Sequence, residues 1–154
     1  MTTWDNYDGL KVRFPVAAAV DGQVNSAEKT IRYHIADATA VPSADAVPDE
    51  NQIAIPAGAF ITRAYLVVKT AFTSGGSATL DIGLVNAAGT AVDHDGIDAA
   101  VALAALAANK AVVADGASVG GTVTYSSDTY VQATYNTAAF TAGAAYVDVV
   151  YIEG

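Results

Sequence analysis

Apolar and polar residues alternate along most of this chain, the pattern of half-buried antiparallel strands. Leu10, Val12 and Phe14 share one phase, with Lys11 and Arg13 on the other. Ile31, Tyr33 and Ile35 oppose Arg32 and His34. Phe60, Ala64, Leu66 and Val68 oppose Arg63, Tyr65 and Lys69. Leu80, Ile82 and Leu84 oppose Thr79 and Asp81, and Val123 and Tyr125 oppose Thr122 and Thr124. Val131, Ala133 and Tyr135 oppose Tyr130, Gln132 and Thr134. Val147, Val149 and Tyr151 oppose Tyr146 and Asp148, with Val150 and Ile152 pointing to partial cover of that second face.

Turn chemistry separates these segments. Ser74-Gly75-Gly76-Ser77 reads as a hairpin turn between the Arg63 and Leu80 strands, and Ser126-Ser127-Asp128 reads likewise before the Val131 strand. Pro56-Ala57-Gly58 sets a tight turn ahead of the longest strand. Asp37 to Asn51 holds two prolines and four acids and reads as a surface loop. The whole predicts an all-β fold, an antiparallel β-sandwich of jelly-roll type, as a single domain over residues 1–154. One stretch departs from period two. Ile97 to Ala108 is rich in the best helix formers, with Asp95 or Asp98 to cap its start and Lys110 at its end. It is expected to form a short Ala-rich helix of about three turns, the alternative being more strand.

Composition narrows the function classes. The 154 residues are 53% hydrophobic and 15% charged, so apolar surface is plentiful and disorder is not expected. A net charge of −9 argues against a nucleic-acid partner, which needs a basic stripe. No apolar run approaches the roughly 20 residues of a membrane span, and the start, Met1 to Asn6, lacks a signal-peptide pattern. The charge is uneven. Residues 1–69 hold six bases and eight acids, and residues 70–154 hold one base and eight acids. If the strand phases hold, Lys11, Arg13, Arg32, Arg63 and Lys69 all point outward, a basic face suited to an acidic partner. The alternative is ordinary solvated strand positions. Trp4 and Tyr7, ahead of the first strand, are candidates for a docking arm over residues 1–9 that orders on a neighbouring subunit.

Candidate chemistry is sparse. With no cysteine, disulfides, thiolate metal sites and thiolate nucleophiles are excluded. No Gly-x-Ser-x-Gly elbow, His-Glu-x-x-His or phosphate loop occurs. Asp93-His94-Asp95-Gly96-Ile97-Asp98 is the one cluster with metal-ligand chemistry, but its Gly and its twelfth position, Ala104, fail the EF-hand pattern. A turn leading into a helix explains the same residues, so Asp93, Asp95 and Asp98 are not assigned a cation, and no cofactor is expected. His34 reads as a surface or interface side chain beside Arg32, and the nine aromatics Trp4, Tyr7, Tyr33, Tyr65, Tyr125, Tyr130, Tyr135, Tyr146 and Tyr151 pose a sugar-platform alternative. The chain is expected not to be an enzyme, with an unrecognised carboxylate pair as the remaining route to hydrolysis.

The stretch Ile55-Pro56-Ala57-Gly58-Ala59-Phe60-Ile61-Thr62, followed by Ala71 to Leu84 with its Thr79-Leu80-Asp81-Ile82-Gly83 strand, resembles a family of tailed-bacteriophage virion structural proteins. Asp95-Gly96-Ile97-Asp98, Ala117 to Thr122 and Phe140-Thr141-Ala142-Gly143 are similar to the same group, so the likeness covers about residues 52–153. The resemblance implies a capsid decoration or cement protein on the outer shell, a homotrimer bridging subunits of the major capsid protein. It supplies no catalytic residue. The alternative role is a tail or tail-fibre module that recognises a host glycan or receptor.

Overall fold

The computed structural model describes the backbone of residues 2–5, 11–14, 28–121 and 125–153, with side chains for the last two stretches. Two short strands, β1 (Thr2–Asp5) and β2 (Lys11–Phe14), pair antiparallel as a ribbon, Thr2 opposite Phe14 and Asp5 opposite Lys11. Seven further strands build the body: β3 (Lys29–Ile35), β4 (Phe60–Ser74), β5 (Thr79–Val85), β6 (Ala91–Ala102), β7 (Ala111–Val113), β8 (Tyr130–Asn136) and β9 (Phe140–Ile152). They form two antiparallel sheets, ordered β3-β9-β4-β7 and β6-β5-β8. The predicted β-sandwich is therefore the fold.

The jelly-roll topology follows from one extra contact. Ile55 forms an isolated antiparallel bridge to Thr129, just before β8. Counted as a strand between β3 and β4, it makes eight in chain order. The first then pairs with the eighth, the eighth with the third and the third with the sixth. The second pairs with the seventh, the seventh with the fourth and the fourth with the fifth. That is the arrangement of two Greek keys wrapped into a jelly roll. The Asp37–Asn51 loop and the residues just after it run along the outer edge of β8. Pro42 O accepts from Tyr135 N, Ile55 exchanges both backbone bonds with Thr129, Gln52 Nε2 donates to Val131 O, and Ala46 N donates to Gln132 Oε1. An exposed strand edge is an aggregation template, and here loop residues close it.

The phases read from sequence place the core correctly for most strands. Ile31 and Ile35, Ala64, Leu66 and Val68, Val131 and Ala133, and Val147 and Val149 are all buried between the sheets. β5 is central in its sheet, so Leu80, Ile82 and Leu84 are joined in burial by Asp81 and Val85. Phe72 packs edge-on against Phe140 at 5.1 Å between ring centres, and Gly143, at φ 141°, leaves room for the Phe72 ring. Truncating one of these large buried side chains to Ala costs about 2–5 kcal/mol.

Four expectations change. Residues 97–108 form no three-turn helix: Ile97 to Ala102 continue β6, and only Leu103–Ala105 make a single 3-10 turn. Strand propagation wins because Ile97, Val101 and Leu106 are buried in the sandwich core, and tertiary burial outweighs the small alanine preference. Ser74 to Ser77 is not a hairpin turn, because β4 and β5 lie in different sheets; the same Gly-rich chemistry serves a crossing between layers. In β4 a bulge between Ile61 and Arg63 shifts the phase, so Ile61 is buried where Phe60 was expected. Of the expected 123–125 strand, Val123 lies outside the described residues and Tyr125 is not in a strand.

Candidate functional site

The outward face of the β3-β9-β4-β7 sheet gathers most of the described cations. Arg32 is directly opposite Asp148, Asp148 opposite Tyr65, and Tyr65 opposite Val113. The next row runs His34, Tyr146, Val67 and Ala111. Arg63 and Lys69 flank the two ends of this patch on β4. Arg32, Arg63 and Lys69 are therefore exposed on one sheet face, as the alternation predicts, and Val113 adds an aliphatic side chain 68% exposed. Of the remaining sequence candidates, the side chains of Lys11, Arg13 and Trp4 lie outside the described residues, as does the whole of Tyr7.

These cations are not free charges. Arg32 donates through Nε and Nη2 to the two carboxylate oxygens of Asp148, both at 2.7 Å, with its guanidinium 3.9 Å from the centre of the Tyr146 ring. Lys69 Nζ lies 5.2 Å from the same ring. Arg63 forks onto Glu28 at 2.9 and 2.6 Å, and Lys29 pairs with Glu153. Hydrogen bonds from Arg63 hold the Glu28 carboxyl below its ordinary range, and those to Asp148 raise the Arg32 guanidinium. Planar guanidinium–carboxylate forks fix geometry more than they add stability at an exposed site. The face is a preset array of oriented cations, carboxylates and aromatic rings, not the uniformly basic surface read from the sequence.

The Asp93–Asp98 cluster lies inside β6 and is pulled apart by it, which removes the turn-and-helix reading. The β5–β6 register slips between Leu80 and Ile82, between Ile82 and Leu84, and again before Val85. Each bulge re-aims the side chains around it. Asp93 Oδ2 accepts from Ser118 Oγ at 2.7 Å and from Tyr125 OH at 3.2 Å. Burial raises the Tyr125 phenol above its usual value, and the nearby Asp93 adds to this. His94 faces elsewhere, with Nδ1 3.0–3.1 Å from both Asp45 oxygens and Nε2 3.4 Å from Thr134 Oγ1. Asp98 is 5% exposed, its Oδ2 has no partner, and burial together with Asp115 pushes its pKa to about 6. Among the described residues no three metal-ligating side chains converge. The serine of this cluster bonds a carboxylate and a phenol rather than an imidazole, so its bonds clamp the bulged strand.

Among the described residues the tyrosines do not make one platform. Tyr151 is buried, Tyr135 packs against Phe140, Tyr125 sits in the Asp93 cluster, and Tyr65 and Tyr146 face outward.

No family model and no curated protein matches the chain. Two solved structures are similar to the chain. A chain of the Cyanophage Pam1 capsid asymmetric unit superposes with a TM-score of 0.54 and 16% identity, covering 93% of this chain and 94% of that one. A chain of the capsid of Ralstonia phage GP4 has a TM-score of 0.48 and 18% identity, covering 91% and 92%. The Pam1 likeness spans nearly the whole chain, so the overall fold is shared.

Two features escape sequence reasoning. The pairing of Arg32 with Asp148 joins residues 116 positions apart, and no local pattern signals it. The role of Gln52 on β8 is equally non-local, although a loop rich in acids and prolines was visible.

Proposed function

We propose that this chain is a non-enzymatic structural protein of a tailed-phage virion, which decorates the outer capsid surface and stabilises it by bridging subunits of the major capsid protein. The observation that carries this reading is the end-to-end likeness of its fold to a chain of the Pam1 capsid asymmetric unit. The outward face of the β3-β9-β4-β7 sheet supplies a contact surface of the required kind. Its guanidinium–carboxylate forks present charges in fixed positions, and Tyr65, Tyr146 and Val113 supply area between them. Arg32, Arg63 and Lys69 are the contact residues proposed there. Lys11 and Arg13 are proposed as further cations for partner contact, Trp4 and Tyr7 belong to a docking arm over residues 1–9, and the working assembly is a homotrimer.

Binding to an assembled shell and not to its separated parts stabilises the shell by mass action. The test is co-sedimentation of the purified protein with empty shells of the phage that encodes it, alongside Arg32→Glu combined with Lys69→Glu. Saturable binding that the double variant weakens at least tenfold is expected. Unchanged occupancy by the variant contradicts the assignment of the face.

A further inference from the structure

Among the described residues, the long edge of the sandwich beside β3 is unpaired. β3 pairs with β9 alone, and among the described residues no backbone hydrogen bond reaches its other side. Edge strands are normally guarded by charged side chains. Here the two cations of β3 lean away from the edge, Arg32 over β9 onto Asp148 and Lys29 onto Glu153. Beside the edge runs a groove of about 570 Å³, walled by Arg32, Tyr33 and His34 on one side and Asp49 to Ile53 on the other. Ile53 stands 66% exposed at its rim. The carboxylates of Asp49 and Glu50 make no hydrogen bond or ion pair among the described residues.

The β1–β2 ribbon has the complementary character. A two-stranded ribbon is marginally stable in water and needs a third strand or a packing face. Within one copy the ribbon forms a sheet of its own, not joined to β3. β2 alternates Lys11 and Arg13 with Val12 and Phe14, a strand half basic and half apolar. Its basic half matches a groove lined by two carboxylates. The 14 residues between Phe14 and Lys29 reach up to roughly 45 Å when extended, enough to cross to a neighbour.

We propose that the unpaired edge of β3 receives the β1–β2 ribbon of a second copy of this chain, with Lys11 and Arg13 of the ribbon set against Asp49 and Glu50. This deepens the docking-arm reading above and rests on it: the arm binds this protein's own fold, and the sheet face is left for the shell. Strand addition supplies backbone hydrogen bonds for affinity, and the charge pattern sets register. Exchange of the arm closes as a cyclic assembly, and a ring of three copies gives the proposed trimer.

The chain has no cysteine, which makes cross-linking clean. Arg13→Cys and Asn51→Cys variants are prepared separately, refolded together and treated with a short bismaleimide. A mixed pair several-fold more abundant than either self-pair is expected. In the doubly substituted chain, higher oligomers are expected in place of an internal link. Self-pairs in equal yield, or a link closed within one chain, overturns the proposal. Asp49→Lys with Glu50→Lys, at exposed positions, is expected to weaken self-association at least tenfold by sedimentation velocity. Unchanged association counts against it. Neither measurement involves capsid shells, so failure to bind shells and failure of the ribbon contact are read separately.

Discussion

Asp98 is a buried carboxylate under electrostatic strain. Its carboxylate sits beside Asp115 and near Asp81, with one oxygen unpartnered, and its only assistance is a backbone hydrogen bond from Ala99. The folded-state value of about 6 lies above the ordinary 3.8, so the native chain binds a proton more readily than the unfolded one. This group therefore costs stability at neutral pH, and the cost is relieved as pH falls from about 6 towards 4. Asp98→Asn is expected to stabilise the protein by up to about 3 kcal/mol at pH 8 and by almost nothing below pH 4. Urea unfolding at both pH values measures it, and equal gains at both contradict the burial argument. Gly83 is a second residue under constraint. A Cβ there would lie 2.0 Å from the His94 carbonyl oxygen, so the β6 backbone crosses directly over it. Gly83→Ala is expected to cost about 1–3 kcal/mol by the same unfolding assay.

At the scale of elements, period-two alternation revealed β3, β8, β9 and, beyond its bulge, β4 with their correct inward faces, because each has one face on the core and one outside. β5 was visible as a strand, but its second buried face was not, since burial of Asp81 depends on Asn136 and the Ala100 backbone reaching it from its neighbours. β6 was hidden by its bulges. Three register slips destroy the alternation over Ala91 to Ala102, and what remains is an alanine-rich run that imitates a helix. Ala100, at φ 51°, marks one such irregularity, and Ala100→Gly is expected to stabilise the fold by about 1 kcal/mol. β7 is three residues long, below what any periodicity resolves. The substitute strand at Ile55 is a single bridge, legible only once β8 is in place. If that loop truly closes the sheet, the amides of Thr129 and Tyr135 exchange with solvent as slowly as those of inner strands. Exchange at the rate of free loop amides would show that the edge is open.

At the scale of the whole molecule, the outward cations were legible and their partners were not. Asp148 and Glu28 lie on or beside other strands, so the basic face of the sequence becomes an array of bound pairs. The surplus negative charge sits elsewhere, including Asp49 and Glu50 beside the β3 edge. Exposed charge pairs respond to salt over a Debye length of about 10 Å at 0.1 M. Docking through such a face is expected to weaken steadily as salt rises, which a titration of bound protein against ionic strength measures. The most direct test of the decoration reading is sedimentation of the protein with empty shells and, separately, with unassembled capsid subunits. The account predicts saturable, salt-sensitive binding to the shells and none to the separated subunits. Absence of binding to shells at every salt concentration, or equal binding to both forms, would contradict it.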